Sequence, residues 1–415
     1  MTTGTGRTPR LYAGPDLERA AALSRVPGPL ATRLAGARNL AAVALDVVRT
    51  RLADGGGTGY ETVLAEGVTA AGARATAVYA GTGASAGWCF ERVFERVEHT
   101  RRSAGQAAAA ARAALAAALP EVRVAFIEGL PPAGLPRLAF PWIPLPAWVK
   151  QRLRVVSDWP AQLGALRRGT RQEVARYLRR EGYRCRLTRE PAAQASFYER
   201  LYAPWIARRF GDAGLIVDRR RFLAECRRGV ILELLRGEAV VGAALLRPLG
   251  RSLAVVWSAL DPAAGPLRGA SDTLDYFSLL YASQSGCRWL DLGPSRPDLH
   301  DGILRYKAKW GCELYAGRVP QARILVGCNG EGPVETAFLE RQAFVLREGR
   351  ALRALLFAGA GTDAAALRER LEAVRTAGVR DYRVVDLAGA PERLRPALAH
   401  PDVTLARPDT LLPLP

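Results

Sequence analysis

Histidine, lysine and methionine are nearly missing from this chain: its 415 residues include three histidines, three lysines and one methionine. The six cysteines (Cys89, Cys185, Cys226, Cys287, Cys312 and Cys328) are scattered and form no Cys-x-x-Cys pair. With so few histidines beside them, no zinc-ligand spacing can be assembled, and no metal is expected. Free thiols in a reducing compartment are the natural reading. No uncharged apolar run approaches the roughly 18 to 20 residues a membrane helix needs. The opening Met1-Thr-Thr-Gly-Thr-Gly-Arg7 lacks the apolar core of a signal peptide. The expectation is a soluble, cytoplasmic protein without stable membrane insertion. No Gly-x-Ser-x-Gly or Cys–His arrangement supports a covalent acyl-enzyme. The one glycine loop weighed as a phosphate cradle, Gly81-Thr-Gly-Ala84, has neither the spacing nor the Lys-Ser/Thr of a P-loop and reads better as a hairpin turn.

What the chain does have is length, apolar content and positive charge. At 415 residues it exceeds one ordinary core, so two or three domains are expected. Hydrophobic residues make up 49 % of it, a globular composition. A net charge of +19 sets up a field that attracts anions: nucleic acid, nucleotide phosphates or an anionic membrane face. An arginine-favouring coding bias is the plainer source of part of that excess.

The pattern in chain order is mixed. Residues 1–58 read as helical segments broken at Gly55-Gly-Gly57, with Leu40, Val43 and Val47 near one face. A weak strand covers Ala75 to Tyr79, a long helix is predicted from Phe90 to Leu119, and Val122 to Ile127 alternates as a buried strand. The stretch from Leu130 to Pro146 is too proline-dense for helix or central strand. Trp142, Trp148 and Lys150 there suit an interdomain linker better than a membrane contact, because proline prevents the amphipathic helix. From Gln151 to Glu190 arginine dominates. Thr170 and Glu173 can form a capping box for a helix whose outer face carries Arg171, Arg176, Arg179 and Arg180. That face is a candidate for RNA or phosphate binding, with a solvated basic helix as the bland alternative. Phe197 to Phe210 reads as an amphipathic helix. Val230–Leu235, Ala239–Leu246 and Ser252–Leu260 read as strands, Ser271 as the cap of a further helix, and Trp289 to Leu292 as a buried strand. Beyond Tyr315, a strand at Ile324 to Val326 leads into a small α/β unit. It has a hairpin around Glu348-Gly-Arg350, a helix capped by Thr362-Asp363 and a closing strand from Tyr382 to Leu387, and reads as a structural, regulatory or partner-binding appendage.

The stretch from Cys287 to Gly311 carries most of the chemistry. A strand breaks at Gly293-Pro294, a polar loop follows, and a basic turn ends on Gly311. Two of the three lysines, Lys307 and Lys309, lie in that turn, in a chain that otherwise relies on arginine. Such selectivity suggests a need for a compact ammonium where a planar guanidinium would not serve.

The sequence Gly293-Pro-Ser295-Arg296, Asp301-Gly302, Tyr306-Lys307, Trp310-Gly311 resembles the Gly-Arg-Ser…Gly…Phe-Lys…Trp-Gly block of FemAB-like and GNAT acyltransferases, and the likeness extends upstream to about residue 150. The order strand, strand, strand, helix, strand is also similar to that family. The resemblance implies an α/β (α+β) fold, a GNAT-like mixed sheet flanked by helices, with room for a degenerate first lobe of the same kind and a small C-terminal α/β unit. The domains are then 1–145, an N-terminal lobe ending in the proline-rich linker; 146–322, the acyltransferase domain; and 323–415, the appendage. By the same resemblance Lys307 is the cation that meets an oxyanion or donor phosphate, and Tyr306 walls the pocket. Arg305 and Lys309 are phosphate-contact candidates. Gly293, Ser295, Arg296, Gly302 and Trp310 complete the substrate-binding set, with Trp310 and Gly311 mainly structural. Arg296 can clamp an anion or pair with Asp291 or Asp301. Asp301 is a candidate general base or a turn former, and adjacent His300 lacks a visible orienting partner.

The Arg/Gln-x-x-Gly-x-Gly/Ala loop of ordinary GNAT enzymes is missing, since the equivalent junction reads Asp261-Pro-Ala-Ala-Gly-Pro-Leu-Arg-Gly-Ala-Ser271. That leaves the donor open. The leading expectation is an N-acyltransferase using acetyl-CoA or another acyl-CoA on a small-molecule or peptide amine, by direct attack in a ternary complex. The alternatives are an aminoacyl-tRNA-dependent amide-forming transferase, with tRNA as partner, and a non-catalytic RNA-binding or scaffold protein.

Overall fold

The computed structural model describes residues 59–406, apart from 84, 131–134, 136–137, 139, 212–215, 318–321, 331 and 399. The expected helices of residues 1–58 lie outside this range. In chain order the elements are β1 (Tyr60–Thr69), β2 (Arg74–Gly81), α1 (Ala86–Val93), β3 (Phe94–Gln106), α2 (Ala108–Ala118), β4 (Val124–Glu128), β5 (Ile143–Pro146) and β6 (Val149–Arg154). Next come α3 (Trp159–Ala165), α4 (Arg168–Glu181), β7 (Tyr183–Thr188), α5 (Pro191–Ser196), a π-turn (Phe197–Tyr202), α6 (Ala203–Phe210) and α7 (Arg219–Cys226). They are followed by β8 (Val230–Arg236), β9 (Ala239–Leu249), β10 (Ser252–Leu260), α8 (Ala270–Gln284) and β11 (Trp289–Ser295). The remainder is α9 (Gly302–Lys309), β12 (Glu313–Tyr315), β13 (Arg323–Cys328), α10 (Pro333–Glu340), β14 (Ala343–Glu348), β15 (Ala351–Ala358), α11 (Ala364–Val374), β16 (Val379–Asp386) and β17 (Val403–Ala406). The fold is mixed α/β.

The chain divides into two compact units, and the segments of one are not contiguous in sequence. Among the described residues one unit is 154–291; the other joins 59–153 to 292–406. The C-terminal segment therefore does not stand apart, because β13 lies between β4 and β5 in a six-stranded sheet ordered β3-β1-β2-β4-β13-β5.

In the unit 154–291 the antiparallel ladders β7–β8, β8–β9 and β9–β10 run side by side, and β10 meets β11 in parallel. β8 and most of β9 are buried on both faces, as a sheet covered by helices requires. The continuous helical run from α5 through α6 packs Phe197, Leu201 and Tyr202 against Phe222, Ile231 and Leu245. Phe222 stacks on Trp257 at 4.7 Å. Tyr198, Leu201, Tyr202 and Trp205 thus serve the core.

Several local expectations are corrected. The predicted helix from Phe90 to Leu119 is α1, then strand β3, then α2. The Glu/Arg-rich segment of β3 has a helical composition, yet it is held along β1 through register pairs such as Leu64 with Arg101. Tertiary pairing overrides propensity there. The loop after Gly81 enters α1, and the hairpin lies upstream at Thr69 to Ala73. Thr170 is buried inside α4 rather than at its cap; Arg167 is the N-cap and offers no side-chain bond. Gly269, not Ser271, caps α8. β11 runs through Gly293-Pro294 to Ser295, with Gly293 at φ +80°. The strand from Tyr382 does not close its sheet, because β17 pairs outside β16 in the order β14-β15-β16-β17.

Candidate active site

The basic turn expected before Gly311 is the helix α9. Asp301 is its N-cap, and its Oδ1 accepts the Leu304 amide at 2.9 Å. Helix geometry then puts Leu304 and Lys307 on one face, and both are buried. The Lys307 ammonium donates to the carbonyls of Gly293 at 3.1 Å and Pro294 at 2.8 Å, and to Ser295 Oγ at 3.2 Å. Ser295 Oγ donates to Gln151 Oε1 at 2.7 Å, and Gln151 Nε2 donates to the Leu304 carbonyl at 3.1 Å. The chain of bonds closes into a ring joining β6, the end of β11 and α9. A compact ammonium suits it because three acceptors surround one point. All three bonds are directed at the end of β11.

Its neighbours divide by exposure. Tyr306 and Lys309 are half-buried, with the Lys309 ammonium 5.0 Å from the Tyr306 ring centre. Arg305 is exposed and donates to the Ala373 carbonyl. Gly302 opens α9 with nothing near a side-chain position. Trp310 is fully buried and packs.

Arg296 is drawn away from this ring. Its guanidinium lies 3.8 Å from the Trp148 ring centre and 5.4 Å from that of Trp88, and donates to Ser85 Oγ at 2.8 Å. Of the two acids weighed as its partners, Asp301 acts on the guanidinium through its charge. Burial lowers the Arg296 pKa. Ser85 donates to Glu128 Oε1 at 2.8 Å, and Tyr79 donates to Glu128 Oε2 at 2.5 Å. Burial, and then the charge of Glu128, raise the Tyr79 phenol far above its usual range. A carboxylate this buried is held by hydroxyls and a nearby cation, which is how buried charge is tolerated.

His300 does have an orienting partner. Its Nδ1 is 3.5 Å from Asp298 Oδ1, while Arg92 approaches Asp298 Oδ2 at 3.5 Å. Burial raises the Asp298 pKa, opposed by its bonds to the His300 amide and Arg92.

The basic face of α4 is as the sequence predicts: Arg171, Arg176, Arg179 and Arg180 are exposed, and Val174 faces inward. In the same unit the parallel ladder between β10 and β11 lasts three pairs, from Ser252 with Trp289 to Ala254 with Asp291. Past Ala254, β10 continues to Leu260 along β9. The junction before α8 is tightly held: Arg236 reaches the Ala264 carbonyl at 3.1 Å, Arg208 the Pro262 carbonyl at 2.6 Å, and Tyr183 the Arg268 carbonyl at 3.1 Å.

Sequence reasoning missed Gln151, Ser85, Glu128 and Tyr79. Two signals were present. Gln151 is a polar residue at an inward position of the alternating strand Val149-x-Gln151-x-Leu153, and Glu128 ends an otherwise apolar strand. Among the described residues no cluster of three or more His, Cys, Asp or Glu is placed to hold a metal. Likewise no helix among them is long and apolar enough to cross a membrane.

No family model matches the sequence, and no curated protein does. Among solved structures, the chain is similar to the C-terminal domain of a putative lysylphosphatidylglycerol synthetase from Agrobacterium fabrum. Identity is 14 %, over 64 % of this chain and 83 % of that one, at a TM-score of 0.33. FemX gives 12 % identity over 60 % and 80 %, at 0.32. A tandem GNAT protein from the clavulanic acid biosynthesis pathway gives 12 % over 62 % and 78 %, at 0.27.

Proposed function

We propose that the chain is an N-acyltransferase that moves an acyl group from an activated donor to an amine by direct attack. The observation that supports this best is the parting of β10 from β11 after three residue pairs. The backbone N–H and C=O groups along that edge of β10 need partners, and solvent reaches Val256, Trp257 and Ser258. A linear donor with amide groups can complete the ladder there, which fixes its acyl end against a rigid sheet. In the reaction the neutral amine forms the C–N bond. The tetrahedral oxyanion then collapses with loss of the thioester C–S or ester C–O bond, and the leaving sulfur or oxygen takes the proton that nitrogen releases.

In this reading Lys307 is a positioning residue that fixes the end of β11, and Asp301 acts chiefly as the cap of α9. The donor is an acyl-CoA. A second reading, aminoacyl-tRNA as donor, is favoured by the exposed arginines of α4. The test is retention of acetyl-CoA and of charged tRNA by the purified protein, by thermal shift and filter binding, followed by assay of amide product. Stabilisation by acetyl-CoA alone removes the tRNA reading. Retention of tRNA regardless of its charged end, with no product from either donor, removes the transferase and leaves an RNA-binding protein.

A further inference from the structure

The unit 154–291 contains an open cleft of about 330 Å³ that the acyltransferase reading does not use. One wall is the corner from β7 into α5, with Arg189, Pro191 and Gln194. The other is the end of α7, with Leu223, Cys226 and Arg227, and then Gly229 before β8. The cleft lies at the β7–β8 margin of the sheet, with β9 between β8 and the β10 edge. Its volume is near the lower limit for small-molecule sites, so its occupant is small.

Both walls are fixed. At the corner, Gln194 Nε2 donates to the Arg189 carbonyl at 2.9 Å, and the Glu190 amide donates to Thr188 Oγ1 at 3.1 Å. Opposite, the Gly229 amide donates to the Cys226 carbonyl at 3.1 Å. A side-chain carbon at Gly229 would lie 2.5 Å from the Leu246 carbonyl oxygen, so only glycine lets the chain pass this close to β9.

Charge decides what the cleft takes. Arg189 and Arg227 are exposed, and among the described residues neither guanidinium has a carboxylate partner. The acid nearest Arg227 in sequence, Glu225, is already held by Arg228 at 3.0 Å and by Arg247. The surface beside these two cations is uncharged. Pro191 and Leu223 are apolar, and burial pushes the Cys226 thiol up to about 12, so it stays protonated in ordinary buffers. Backbone donors add little, because the amides of Gln194, Arg227 and Gly229 are all bonded to carbonyls and Pro191 has none. Phosphate sites draw on such amides, whereas guanidinium forks suit a planar carboxylate. Arg227 is also the C-cap of α7, and the partial negative charge at that helix end weighs most against a dianion.

We propose that this cleft binds a small organic acid, its carboxylate met by Arg189 and Arg227 and its apolar body laid over Pro191, Leu223 and Cys226. The test titrates the full chain with benzoate, phenylacetate and hexanoate, each beside its neutral amide, by ligand-observed NMR and calorimetry. Acetate serves as the acid without an apolar body, and phenyl phosphate as the dianion. At least one of the three acids binds at millimolar concentration or below and more tightly than acetate. Its amide binds about tenfold more weakly, as loss of a charge-assisted bond gives. Arg189→Gln and Arg227→Gln each weaken the acid by a similar factor. Arg228→Gln removes equal charge one residue on, at a side chain already paired with Glu225, and leaves the affinity nearly unchanged. All three arginines are exposed, so thermal midpoints stay close to that of the parent. The acid–amide comparison is made on the unaltered protein and does not depend on any variant. No acid binding at millimolar concentration, equal binding of acid and amide, tighter binding of phenyl phosphate, or equal losses in Arg227→Gln and Arg228→Gln overturns the proposal.

Discussion

Lys307 is a residue whose kind is legible in the sequence and whose local reason is visible only in the fold. A chain rich in arginine that keeps lysine at this position does so because three acceptors converge on one nitrogen. Replacing it with methionine takes the donor from the buried Ser295 hydroxyl and from the Gly293 and Pro294 carbonyls, which solvent reaches more readily. The expected loss is about 1–3 kcal/mol of unfolding free energy, read from a urea midpoint at unchanged slope. Lys307→Arg is also destabilised, since a planar fork does not match three acceptors around a point. A variant as stable as the parent would remove the ring of bonds from β6 to α9 as a structural element. The cysteines give a second residue-scale prediction. Five of the six are buried, and Cys185 is partly exposed, so a thiol reagent labels Cys185 alone in the folded chain. Burial pushes Cys287 up to about 11 and Cys226 up to about 12. The folded protein therefore keeps protons that the unfolded chain releases near pH 9. This contribution to stability is present below pH 9 and is lost as pH rises through 11 to 12. Cys226→Ala makes the alkaline decline in denaturant midpoint shallower.

At the scale of elements, the approach of α4 to the start of α8 depends on one glycine. Gly269 has φ +66°, and a side-chain carbon there would lie 2.0 Å from the Tyr177 ring. Gly269→Ala combines a dihedral strain of about 1 kcal/mol with an overpacking of about 1–3 kcal/mol. Adding Tyr177→Ala to it relieves the second part and leaves the first, a non-additivity that a double-mutant cycle measures. The same scale explains what the sequence revealed. The strands β8, β9, β10 and β11 and the helix α8 were readable because long apolar runs are separated by Gly–Glu, Gly–Arg or Asp–Pro punctuation. β3 was not, because Glu95, Arg96, Glu98, Arg101 and Arg102 look helical and are fixed only by pairing with β1. α9 was taken for a turn because its eight residues bury only Leu304 and Lys307, too short a stripe to register as periodic. That β15 and β16 are parallel is a further feature that no local pattern encodes.

At the scale of the whole molecule, the charge of +19 is the property most readily mistaken for a function. A field of that size binds any polyanion, so affinity for tRNA says little unless it can be assigned to a place. The four exposed arginines of α4 provide one. Each phosphate contact adds roughly 0.7–0.9 to the slope of log affinity against log salt. Replacing Arg171, Arg176, Arg179 and Arg180 with alanine should then flatten that slope by up to about three, with the thermal midpoint little changed because these side chains are exposed. The control removes equal charge elsewhere in the same unit, at Arg219, Arg220, Arg227 and Arg228. Arg219 is already paired with Glu199 at 2.9 Å and Arg228 with Glu225 at 3.0 Å, so those positions offer less to a phosphate. Equal flattening by both sets means that tRNA reads the field and not the helix. The aminoacyl-tRNA reading then loses its support, while the proposal of an acyl-CoA donor on the edge of β10 is untouched.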